Sequence, residues 1–177
     1  MTTEENSIVG RPIRGEIEYF DTSLVEELWP DDEEDSGDTA PVEQKPLTDF
    51  IAALDAVFAF PEVQSIRWEQ YTPYFNDGDP CKFSADDVGF RIDGIDEGVL
   101  DEHGCIAVWL IRSADDHSQR NAAEYPQISD ALFTAMNAFD AAIIDGAHDA
   151  DLLEHFGDPA QVVATRAGFD VEFYEHD

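Results

Sequence analysis

The sequence predicts an α+β fold: a two-layer domain with a mainly antiparallel sheet of five to six strands. Two to three helices cover one face, and an acidic N-terminal arm precedes the domain. Three observations predict it. Residues 50–58 and 128–143 repeat apolar side chains at the 3.6-residue helical period. Residues 88–93 and 169–174 alternate apolar and polar, the period of a half-buried strand. Short turns separate the strand-like segments, and strands joined that way pair antiparallel.

The arm, residues 1–46, holds 14 acidic and 3 basic residues. Its run from Asp31 to Asp38 repels itself and buries nothing, so it reads as a solvated linker. Ahead of that run, Phe20, Leu24 and Leu28 recur every fourth residue, with Val25 and Trp29 beside them. Asp21, Thr22 or Ser23 would cap a short helix there and Pro30 would end it. Such an apolar stripe docks on its own domain or in a partner's groove.

A single domain is expected over 47–177. It opens with a helix capped by Thr48, carrying Phe50, Ile51, Leu54, Val57 and Phe58 and stopped by Pro61. A strand over 63–70 would face Ile66 and Trp68 one way, Arg67 and Glu69 the other. Short strands follow at 81–84 and 88–92, with Asp93-Gly94 as a turn. The continuously apolar run 105–111 (CIAVWLI) reads as a central strand covered on both faces. Residues 113–126 are loop-like. Ile128, Leu132, Ala135, Met136, Phe139 and Ile143 mark a second helix, and 149–156 a third ended by Gly157. A hairpin over 162–174 closes the chain.

Composition bounds function more than motif does. An apolar fraction of 43% supports a core, while 41 acidic residues against 9 basic give a net charge of −32. Phosphate binding needs Lys and Arg, so nucleic acid and anionic membrane are excluded as direct partners. No apolar stretch is long enough to span a bilayer, and the N-terminus lacks a signal-peptide pattern, so a cytoplasmic location is expected. Cys81 and Cys105 form no CxxC and read as free thiols.

No P-loop, GxGxxG, GxSxG or HExxH pattern occurs, and no catalytic residue, metal ligand or cofactor is assigned. His148 and His155 are seven apart and share a helix face with Asp151, but surface histidines on an acidic helix explain them equally. The most information-rich stretch is the loop from Gln70 to Cys81. Tyr71, Tyr74, Asn76, Asp77 and Asp79 are its candidate site residues. Asp77 and Asp79 would suit a cation, although EF-hand spacing is absent; the alternative is a rigid, aromatic-packed connection.

The stretch Trp68 to Ser84 (WEQYTPYFNDGDPCKFS) resembles a family of small uncharacterised proteins of tailed bacteriophages and some bacteria. The ending, Phe156-Gly157-Asp158 and then VVATRAGFDVEFYEHD, is similar to that family's C-terminus. The resemblance spans most of 47–177 and omits the arm. It implies a phage origin and no particular activity.

Residues 47–177 alone carry 27 acidic and 6 basic residues, a net of −21. A domain of that size is roughly 36 Å across, and B-DNA of that length carries roughly 20 phosphate charges. The expected function is a non-enzymatic, phage-encoded protein-binding protein of the host cytoplasm. It would engage a basic or nucleic-acid-binding partner as a DNA mimic. Three alternatives fit the same residues: a virion structural or assembly protein lacing its arm onto a neighbour, a cation-binding protein or enzyme using Asp77 and Asp79, and acidity serving solubility alone.

Overall fold

The computed structural model describes residues 6–19, 42–73, 82–111 and 125–173. Strands β1 (Ser7–Ile8) and β2 (Arg11–Gly15) form a tight hairpin at the N-terminus. Helix α1 (Leu47–Phe58) leads into β3 (Val63–Tyr71) and β4 (Ser84–Ile92). A one-turn helix α2 (Val108–Ile111), α3 (Asp130–Ile144) and α4 (Asp149–Phe156) follow. The hairpin β5 (Ala160–Thr165) and β6 (Gly168–Phe173) completes a six-stranded sheet of order β1-β2-β6-β5-β3-β4. Among the described residues only the β2–β6 pairing is parallel.

Trp68 explains why the helices gather on one face. Its side chain leaves the middle of β3 and is fully buried. It meets Phe50 of α1 at 6.1 Å, Phe139 of α3 at 6.0 Å, Phe156 of α4 at 5.5 Å and Phe169 of β6 at 6.4 Å. All four contacts are edge-on, the arrangement ring quadrupoles favour. Ile66, Phe90, Val162, Ala164 and Val171 extend this apolar layer across four strands.

Four expectations need correction. The domain does not begin at residue 47: β2 pairs with β6, Ile13 opposite Phe169, and both Ile8 and Ile13 are buried. Val9 and Gly10 both take positive φ, 48° and 76°, which suits a two-residue hairpin turn. Only two apolar side chains of this hairpin, Ile8 and Ile13, are buried, too few to stand out in an acidic stretch.

The run 105–111 is not a central strand. Ile106 makes one isolated bridge to Phe90, and the chain then turns into α2. Cys105, Ile106, Val108 and Ile111 are buried, whereas Trp109 is 73% exposed and Leu110 is also exposed. Periodicity cannot separate a short buried strand from a helical turn. The two short strands expected over 81–92 are one strand from Ser84, bulged where Asp87 takes a φ of 53°. Finally, Pro46 rather than Thr48 holds the cap position of α1.

Arg166 ties the β5–β6 turn to the end of α1. Its guanidinium donates to the carbonyls of Val63, Phe58 and Phe60 at 2.6–2.8 Å and lies 5.2 Å from the Phe58 ring. Among the described residues no helix is long and apolar enough to cross a membrane.

Trp68→Ala is expected to lower the urea unfolding free energy by about 3–5 kcal/mol, the usual cost of truncating a packed aromatic. Trp68→Phe should lose clearly less. A loss below about 1 kcal/mol for the alanine variant would contradict this packing.

Candidate functional site

The end of β3 is a polar junction. Gln70 shares the helix-side face with Trp68 and is fully buried, so each of its amide atoms needs a partner. Its Oε1 accepts from Trp68 Nε1 at 3.1 Å, and its Nε2 donates to the carbonyls of Leu152 at 2.9 Å and Gly157 at 2.7 Å. Two residues on, Thr72 donates its N–H to Asp158 Oδ1 at 2.9 Å and its hydroxyl to Asp158 Oδ2 at 2.5 Å. Asp158 is buried and donates its own N–H to the Glu18 carbonyl at 2.7 Å. Tyr19 donates its hydroxyl to the Glu154 carbonyl at 2.7 Å. Gly157 takes a φ of 84°, and a Cβ there would lie 2.1 Å from Glu18 O, so the crossing admits no larger side chain.

This junction gathers segments the sequence keeps far apart. The distinctive loop from Gln70 and the Phe156-Gly157-Asp158 ending meet through Gln70, Thr72 and Asp158. Tyr19 and Pro73 are the last described residues before 20–41 and 74–81, and their neighbours Glu18 and Thr72 both bond Asp158. Of the candidate loop residues, Tyr71 is described and half-buried. Tyr74, Asn76, Asp77 and Asp79 lie outside the described residues, as do Phe20, Leu24, Val25, Leu28 and Trp29 of the candidate docking arm and Cys81. The sequence reading passed over Gln70, Thr72 and Asp158, because a buried polar group cannot be told from a surface one without its partners.

The sheet face opposite the helices carries a second polar cluster. Register aligns Asp86, Glu69, Gln161 and Glu172 in one row across four strands, with Arg67, Val163 and Asp170 in the next. Arg67 and Glu69 lie on the face opposite Trp68, as expected, and are buried there; Arg67 is only 3% exposed. The Arg67 guanidinium donates to Glu69, to Asp87 at 3.2 Å and to Gln161 at 3.3 Å, while its Nε lacks a partner among the described residues. Burial, then Asp86 and Glu69, push the Tyr71 hydroxyl above its ordinary pKa. Burial, reinforced by Asp101, pushes the Cys105 thiol up to about 11. That cysteine is a protonated thiol at neutral pH and not a poised nucleophile.

A groove of about 610 Å³ lined by Gly94, Ile95, Asp96, Val99, Tyr125 and Gln127 lies away from the junction and shares no residue with it. Comparison of the chain with protein-family models, curated proteins and solved structures finds no match.

Asp158→Ala strands the Thr72 N–H and hydroxyl, and should cost about 1–3 kcal/mol. Amide exchange should quicken in 70–73, while 16–19, held by the Asp158 backbone N–H that the variant keeps, should change less. Unchanged exchange in 70–73 would contradict the anchor.

Proposed function

We propose that this chain is a non-enzymatic, phage-encoded protein-binding protein that engages a basic or nucleic-acid-binding partner in the manner of a DNA mimic. One observation carries the reading: five of the seven lysines and arginines among the described residues are engaged internally, while Lys82 and Arg91 are exposed. Arg11 pairs with Asp55, Arg14 with Asp170, Lys45 with Asp145, and Arg67 with Glu69 and Asp87; Arg166 binds three carbonyls. Carboxylates such as Glu16, Glu43, Asp96, Glu97 and Glu172 meanwhile stand exposed.

A surface of this kind accumulates cations and repels phosphate. A basic partner docking on it displaces them and releases the anions held at its own surface, the term that drives DNA binding. The resemblance to phage proteins supports a host protein as the partner. The protonated Cys105 argues against thiolate chemistry at that position.

The test is capture by the immobilised full chain from bacterial lysate, at graded NaCl and with duplex DNA as competitor. Nucleic-acid-binding proteins should be retained at low salt and released both by salt and by the duplex. Retention indifferent to both, or no retention at low salt, would overturn the reading.

A further inference from the structure

We propose that Asp151, Glu154 and His155 of α4 form a binding site for a first-row divalent transition metal ion such as Zn²⁺ or Co²⁺. On a helix, positions three and four apart share a face, so Asp151 projects beside both Glu154 and His155. One ligand atom from each lies within 4.8 Å of the others. Ligands around one ion at 2.0–2.2 Å stand at most about 4.3 Å apart, so small side-chain rotations bring the three together.

The backbone beneath them is fixed. The Glu154 carbonyl accepts from Tyr19, and the Leu152 and Gly157 carbonyls accept from Gln70. Held this way, the helix loses little freedom when an ion binds.

A second feature lies beside the cluster. His148, one turn before Asp151, is 2% exposed and packs 5.7 Å from the Phe50 ring. Its Nδ1 has no hydrogen-bond partner among the described residues; burial lowers its pKa, and Asp145 and then Asp151 act against that. Carboxylates shared between an imidazole and a metal are common outer supports of such sites.

The donor set decides the ion. Ca²⁺ and Mg²⁺ take oxygen ligands, whereas imidazole with carboxylates suits zinc, cobalt, nickel and manganese. The chain's negative field favours any cation, so selectivity rather than binding is diagnostic.

The full chain is titrated with Co²⁺ and Zn²⁺ by calorimetry, against excess Mg²⁺. One saturable site per chain is expected, insensitive to Mg²⁺ and at least tenfold weaker in His155→Gln and in Asp151→Asn. Unchanged unfolding midpoints without metal confirm that both variants fold. In the wild-type chain, Co²⁺ should broaden the His155 ring protons first, a readout that needs no variant. Several weak sites displaced by Mg²⁺, a site that survives His155→Gln, or thiolate-to-cobalt absorption would overturn the proposal.

Discussion

Forty-one carboxylic side chains share this 177-residue chain with nine lysines and arginines. Any compact state must therefore hold together against its own negative field. The apolar layer around Trp68 supplies the opposing force, and three of the described cations join separate segments. Arg11 links β2 to α1, Arg14 links β2 to β6, and Lys45 reaches the end of α3. Exposed pairs of this kind contribute at most about 1 kcal/mol each. Their larger consequence is electrostatic: a cation held by the fold is not displayed to a ligand.

Arg67 is the exception in depth. Buried in the sheet with Glu69, it resembles the interior ion pairs whose desolvation rivals their attraction. Removing either partner strands a charge. The Gln70–Asp158 junction uses the same logic with hydrogen bonds. It closes the end of β3 and fixes the crossing with Glu18. Asp158 thus holds Thr72 through its carboxylate and Glu18 through its backbone N–H.

The helical stripes of α1, α3 and α4 were readable because a 3.6-residue period over two or more turns is hard to mimic. The alternation in β6 was readable for the matching reason. The N-terminal hairpin was not, since Ile8 and Ile13 earn their burial only from pairing with β6, which lies more than 150 residues away. Residues 105–111 misled because continuous apolarity reports burial and not conformation. Arg67 and Gln70 were illegible for a deeper reason. A polar residue is buried when its partners arrive from other strands and helices, and no local pattern records those partners. The one sequence clue to the junction was the pair of resembling segments, which turn out to meet through Thr72 and Asp158.

The claim that joins these observations is that the surface carboxylates are largely unopposed. Salt dependence of the unfolding free energy addresses it directly. From about 0.01 M to 1 M NaCl the Debye length shrinks from about 30 Å to about 3 Å. If repulsion dominates, stability should rise steadily across that range and level off near its upper end. Stability that falls with salt would mean that ion pairs outweigh repulsion and would contradict the account.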